Sequence, residues 1–132
     1  MAQRQGSGSG ARVGEATSKS LKYAHVVNSP DQIPDEPGKT LVTTNHDVIR
    51  KWAEERGAVP ATVAGTEHGD SLGVLTFDFP PLGDNDRLRR VSWDEWFKTF
   101  DQRKLNFIFE EKRSDGRQSN FFRLENPERE DA

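Results

Sequence analysis

The sequence predicts an α+β fold of two layers, a four-stranded antiparallel sheet with two helices on one face, in the order αββαββ. Three observations predict it. Two segments carry apolar residues at helical spacing, four others read as strands, and a helix leading into a hairpin occurs twice along the chain.

The first helix is NHDVIRKWAEERG. Thr44 or Asn45 can cap it, and Asp47 stands at the positive end of its dipole. Val48, Ile49, Trp52 and Ala53 form its apolar stripe, and Gly57 stops it after Arg56. ATVAG and GVLTFDF follow as strands, the second marked by Leu75, Phe77 and Phe79 alternating with Thr76 and Asp78. PPLGDNDRLRR reads as a loop. Ser92 with Glu95 makes a capping box for the second helix, whose stripe is Trp93, Trp96, Phe97 and Phe100. LNFIFEEK places Leu105, Phe107 and Phe109 on one face. Asp115-Gly116 is a two-residue hairpin turn, and QSNFFRLE returns with Phe122 and Leu124 opposite in face to Phe121 and Arg123.

Shifting the chain by 48 residues lays Val48, Ile49 and Trp52 on Trp96, Phe97 and Phe100, which suggests an internal pseudo-repeat. A two-layer domain leaves the second sheet face open. The strand phases put Val74, Thr76, Ile108, Phe121 and Arg123 on that face, and apolar side chains there point to a protein partner or to self-association. Trp93, next to the cap, joins them as a candidate anchor.

Composition sets the limits of the fold. Apolar residues make up 32% of the chain and charged residues 31%, which is poor in core material and predicts segments that do not fold. Residues 1–38, rich in Gly, Ser and Pro, read as a disordered tail. Residues 39–126 read as a single α+β domain and residues 127–132 as a short polar tail. The absence of cysteine excludes disulfides, cysteine nucleophiles and thiolate metal sites. No apolar run spans a bilayer and the N-terminus lacks a secretory apolar core, so a cytoplasmic protein is expected, without membrane contact. The tail 1–40 holds 5 basic and 4 acidic residues, residues 41–126 hold 13 and 15, and 127–132 hold 1 and 3. No segment is basic enough for binding dominated by phosphate neutralisation.

Each candidate for chemistry has a plainer role. His25, His46 and His68 are widely spaced, and His46 beside Asn45 and Asp47 suits a helix start better than a metal. Asp84-Asn85-Asp86 lacks the glycine and the bidentate glutamate of a calcium loop. Glu54-Glu55 and Glu110-Glu111 are neighbours whose side chains diverge, so they make no acid/base pair. Nucleotide and hydrolase fingerprints are absent. No cofactor, metal or catalytic residue is expected. Arg87, Arg89 and Arg90 form the densest basic cluster, an alternative site for nucleic acid, with Asp84 and Asp86 alongside.

The runs TTNHDVIRKWAEERGAVPATVAGT, GVLTFDFP and VSWDEWFKTFDQRKLNFIFEEKRSDGRQSNFF resemble a group of small bacterial proteins of about 90 residues. These share a D-H-D-x-I-R-x-W-A-E-E-R-G-like opening, an S-W-D-E-F-F-like second helix and an F-x-Y/F-Q/E-E…DG-x-x-S-x-F-like ending. The resemblance covers residues 43–125; the long Gly/Ser/Pro segment departs from it. Such proteins, of unknown function, often carry the label glucan branching enzyme. Branching needs two carboxylates across a sugar cleft, normally in a barrel of some 250 residues, and this chain has room for neither. The resemblance therefore implies a fold and no activity. The function expected is a small non-catalytic accessory module working through protein–protein contacts. The alternatives are a nucleic-acid-associated protein using the arginine loop and, more remotely, a small enzyme.

Overall fold

The computed structural model describes residues 24–69, 71–83 and 85–126. They form an α+β structure with two helices and two sheets. In chain order the elements are β1 (His25–Val26), a 3-10 turn at Pro30–Gln32, β2 (Thr40–Thr43), α1 (His46–Glu55), β3 (Val59–Val63), β4 (Leu75–Asp78), a 3-10 turn at Pro80–Leu82, β5 (Leu88–Arg90), α2 (Trp93–Gln102), β6 (Asn106–Glu110) and β7 (Phe122–Glu125). One sheet has the order β1-β2-β6-β7 and the other β4-β3-β5. β1 runs parallel to β2, and every other neighbouring pair is antiparallel.

The expected single antiparallel sheet is thus corrected to two sheets, one of them mixed. The difference lies in three short strands, of which β1, the parallel one, falls within the expected tail. Thr40–Thr43 is too short for its alternation to register, and Leu88–Arg90 ends a stretch of Pro, Gly and Asp that reads as loop. Each becomes a strand because a longer neighbour, β6 or β3, supplies its hydrogen bonds. Residues 1–23 of the expected tail and the tail 127–132 lie outside the described residues. Residues 24–38 hold β1 and the Pro30–Gln32 turn, and the N–H of buried Val27 donates to the Val42 carbonyl at 2.9 Å.

The chain divides into two compact units, the first running up to Lys51 and resuming from Lys104, the second Trp52–Arg103, with the boundary inside α1. In the first unit Asn45 caps α1, its Oδ1 accepting from the Val48 N–H at 3.0 Å. Phe107 and Phe109 stack 5.2 Å apart on one face of β6, with Phe122 of β7 6.1 Å from Phe107. The turn between β6 and β7 is longer than two residues. Gly116 N–H bonds the Arg113 carbonyl at 2.8 Å and Arg113 N–H the Arg117 carbonyl at 2.7 Å, with Gly116 at φ 86°.

In the second unit Ser92 caps α2, without the return bond from Glu95 to the Ser92 N–H that a full capping box has. Ser92 Oγ accepts from the Glu95 N–H at 3.1 Å and lies 3.3 Å from Glu95 Oε1. Phe77 of β4 is surrounded by Trp96 at 5.0 Å, Trp93 at 5.8 Å and Trp52 at 5.9 Å. Trp96 and Phe100 stack at 5.5 Å, and Trp96 Nε1 donates to the Thr76 carbonyl at 3.0 Å, so the indole is buried without orphaning its N–H. Burying each such ring is worth roughly 1.5–3 kcal/mol.

The two halves of the chain repeat at an offset of 47 residues. Adding 47 carries His46–Glu55 onto Trp93–Gln102, Val59–Val63 onto Asn106–Glu110 and Leu75–Asp78 onto Phe122–Glu125. It also carries every β3–β4 pair, from Val59↔Asp78 to Thr62↔Leu75, onto a β6–β7 pair, from Asn106↔Glu125 to Phe109↔Phe122. The 48-residue shift read from the helix stripes is one too long for the helices. It does hold for the strands before them, since Thr40↔Glu110 and Val42↔Ile108 answer to Leu88↔Val63 and Arg90↔Ala61. The capping residues Asn45 and Ser92 correspond at 47.

Both helices end in the left-handed region, α1 at Gly57 (φ 68°) and α2 at Lys104 (φ 54°), the one non-glycine with positive φ among the described residues. At Gly57 the N–H groups of Gly57 and Ala58 bond the carbonyls of Glu54 (3.1 Å) and Ala53 (2.9 Å), the double closure of a glycine stop. A side chain in this region costs about 1–2 kcal/mol. Lys104→Gly is therefore expected to raise stability by about 0.5–1 kcal/mol. Gly57→Ala, whose Cβ would meet Pro81 Cγ at 3.0 Å, should lower it by about 1–2 kcal/mol. Urea midpoints at unchanged slope check both.

Candidate functional site

The residues expected on an open sheet face fall in both units, at equivalent places. Val74 and Phe121, 47 apart, each stand just before the second strand of a hairpin, and are 55% and 47% exposed. The Val74 carbonyl accepts from Val63 N–H at 3.0 Å and the Phe121 carbonyl from Glu110 N–H at 3.2 Å, again an equivalent pair. Thr76 and Arg123 are the next outward positions, opposite Ala61 and Ile108. Thr76 is half-buried and Arg123 exposed.

Ile108 corrects the expectation of an open face. It is fully buried, packed with Val42, and Ala24 lies against both. Its strand phase was legible, but what covers it was not: Ala24 precedes β1, in a segment that composition marks as tail. Trp93 is half-buried, stacked on Phe97 at 5.0 Å, so most of its surface is spent inside the unit.

The second unit keeps the corresponding face open. Alternation puts Val59, Ala61 and Val63 of β3, Thr76 and Asp78 of β4, Leu88 and Arg90 of β5, and Val74 on one side. Ala61 is buried, but Val59, Val63, Thr76 and Leu88 are half-buried and Val74 is exposed. The loop that delivers Val74 is firmly held. Thr66 Oγ1 donates to the Val63 carbonyl at 2.6 Å and accepts from Val74 N–H at 2.9 Å. A Cβ on Gly73 would lie 2.0 Å from that oxygen, so only glycine fits. Arg103 donates to the carbonyls of Gly73, at 2.7 Å, and Leu72, and burial lowers its pKa. Sequence reasoning missed Arg103. Its signal was the repeat, since Arg56 is its equivalent and likewise bonds a carbonyl, that of Trp52, at 2.8 Å while lying 4.3 Å over the Trp52 ring.

Of the arginine cluster, Arg87, Arg89 and Arg90 are all exposed on or beside β5. Arg89 Nε bonds Glu67 Oε2 at 3.1 Å and Arg90 Nε bonds Asp78 Oδ2 at 2.9 Å. Glu67 is held below the usual carboxylate range by its own backbone N–H, by Arg89 and by the Gly65 N–H, the last at 2.8 Å. Asp84 lies outside the described residues; Asn85 Oδ1 accepts from Arg87 N–H at 3.0 Å, a turn bond.

Groups able to do chemistry are scattered. His25 and His68 are exposed and His46 opens α1. Among the described residues no group of three or more His, Asp or Glu converges on a metal position. A polar hollow of about 320 Å³ in the second unit is lined by residues such as Glu95, Lys98, Thr99 and Arg103, of which Glu95 serves the helix cap and Arg103 the loop. Glu125, the equivalent of Asp78, is fully buried. Neither of its oxygens has a hydrogen-bond partner, and Arg123 Nη2 is 3.5 Å away. No family model, curated protein or solved structure matches the chain.

Two outcomes test these placements. Ile108→Ala should cost about 2–5 kcal/mol, as a core truncation does, whereas Phe121→Ala should stay within about 0.5 kcal/mol of the parent in the same denaturant series. Because the folded-state pKa of Glu67 is depressed, the interactions that hold it are complete above 4.5 and are lost as the pH falls through the folded value. Carboxylate NMR should place its midpoint below 4.5, and Arg89→Gln should move it upward.

Proposed function

We propose that this chain is a small non-catalytic binding module that acts through protein–protein contacts. One observation carries the reading: the outer face of the β4-β3-β5 sheet leaves Val59, Val63, Leu88 and Val74 partly or largely uncovered, around a single Arg90–Asp78 ion pair. Apolar side chains on a firm sheet face suit a partner that buries them. The loop bonds of Thr66 and Arg103 fix Val74 in advance, which lowers the ordering cost of association. Phe121, at the equivalent place in the first unit, offers a second apolar contact.

The nucleic-acid reading is the weaker one. Arg89 and Arg90 each spend a hydrogen bond on a carboxylate, which reduces the charge a phosphate would meet. The test is affinity capture from a lysate of the source organism with nuclease present, using the parent chain and Val74→Asp. The expected result is a protein retained by the parent at about 0.5 M salt, where phosphate contacts fade, and lost by the variant with its urea midpoint unchanged. Capture that vanishes with nuclease, or that Val74→Asp leaves intact, would overturn the reading.

A further inference from the structure

The two units build the same sheet and finish its outer edge differently. In the first, β2 is flanked by β1, with Val26 beside Val42 in parallel register and the Val42 carbonyl accepting from Val27 N–H at 2.9 Å. Ala24, one step back along that segment, packs on Val42 and Ile108 and covers that part of the outer face. The position equivalent to Val42 is Arg90 in β5, since Val42 opposes Ile108 as Arg90 opposes Ala61. No strand flanks β5 among the described residues.

The register fixes which backbone groups of β5 remain. Val91 N–H bonds the Pro60 carbonyl at 3.0 Å and Ala64 N–H the Arg87 carbonyl at 2.7 Å, so Ala61↔Arg90 and Val63↔Leu88 are the non-hydrogen-bonded pairs of the ladder. The N–H and carbonyl of Arg90 consequently point away from β3, as those of Val42 point toward β1. Around this edge, unpaired among the described residues, stand Arg87, Arg89 and Arg90, and Arg89 and Arg90 engage Glu67 and Asp78 through Nε. Bare edges of this kind accept an added strand through main-chain bonds, with side chains deciding which. The arginines favour an acidic one and oppose pairing of β5 with a second copy of itself, which would set arginine against arginine.

We propose that β5 takes an extended acidic segment of a partner protein as a fourth, parallel strand, seated on Arg90 as β1 is seated on Val42, with its outer-face side chains beside Leu88 and Arg90. This rests on the binding-module reading and names its partner. The added strand does for the second unit what Ala24 to Val27 do for the first, and its carboxylates answer Arg87 and the guanidinium donors of Arg89 and Arg90 that Glu67 and Asp78 do not engage.

The experiment uses the ¹⁵N-labelled full chain and two blocked peptides, acetyl-AEVEVE-amide and its lysine counterpart acetyl-AKVKVK-amide. The acidic peptide should shift the amides of Leu88, Arg90 and Val91, slow hydrogen exchange at Arg90, and bind at least about tenfold tighter than the lysine peptide at low salt. Arg90→Pro removes the outward N–H while sparing the bonds to β3, and should weaken binding about tenfold or more. Arg90→Glu, which keeps the backbone donor, should invert the peptide preference, so the proposal stands testable if the proline variant fails to fold. Shifts confined to Val63, Val74 and Thr76 would overturn the strand addition and leave the face reading intact. Equal binding of the two peptides would overturn the acidic partner. No binding by the parent, with self-association of Arg90→Val, would show the arginines to be a guard on the edge and overturn the proposal.

Discussion

The second unit depends on the ring of Phe77. It sits at the centre of β4, and three indoles converge on it, Trp52 from the end of α1 and Trp93 and Trp96 from α2. Such a cluster needs every ring at a fixed height, because aromatic contacts of 5–6 Å are lost when a strand slips by one residue and turns its side chains over. Trp96 adds a directional bond to the Thr76 carbonyl, on the same strand as Phe77. The register of β4 against β3 and the rotation of α2 are thereby tied together. What faces the opposite side, Thr76 and Asp78, follows as a consequence. The open face is the reverse of the aromatic one, and its pattern is set from behind.

Much of this was legible in the sequence. Ser92 caps α2 where its spacing to Glu95 places a helix start, and Gly57 ends α1 as a glycine there should. Strand phase puts Val74 and Phe121 on the outward side, where both are exposed. The limits of that reading are physical. A three-residue strand such as Leu88–Arg90 carries no period, and two of its three residues are arginines, so its identity comes from β3 and not from itself. Burial of Ile108 depends on a segment some eighty residues earlier in the chain, and no local pattern reports what lies above a face. Arg56 and Arg103 look like ordinary surface charge until the structure places them on carbonyls.

The helix ends show how one backbone requirement can be met by unequal residues. Both helices stop by turning left-handed, at Gly57 and Lys104, and both place an arginine immediately before that turn. Glycine accepts the turn without strain; lysine accepts it because the neighbouring structure holds it there. The Arg103 side chain grips two carbonyls of the Leu72-Gly73 loop, which anchors the residue before Lys104. A strained residue next to a tightly bonded one is the expected arrangement, since the strain has to be offset by something close in the chain.

The repeat sharpens the meaning of the differences between the units. Equivalent positions share a backbone and a register, so geometry cannot account for their chemistry diverging. Val42 becomes Arg90, Ile108 answers to Ala61, and Phe121 to Val74. In the first unit the outer face has large apolar groups and a covering segment of its own chain. In the second the same face has smaller apolar groups, a half-exposed surface and a basic edge. A face meant to be closed permanently from within gains from bulk, because each added methylene is buried. One meant to meet water between encounters needs modest apolar area and charge at its rim, or it would pair indiscriminately. The substitutions at Val42/Arg90 and Ile108/Ala61 run in that direction, which is the sense of the binding-module proposal.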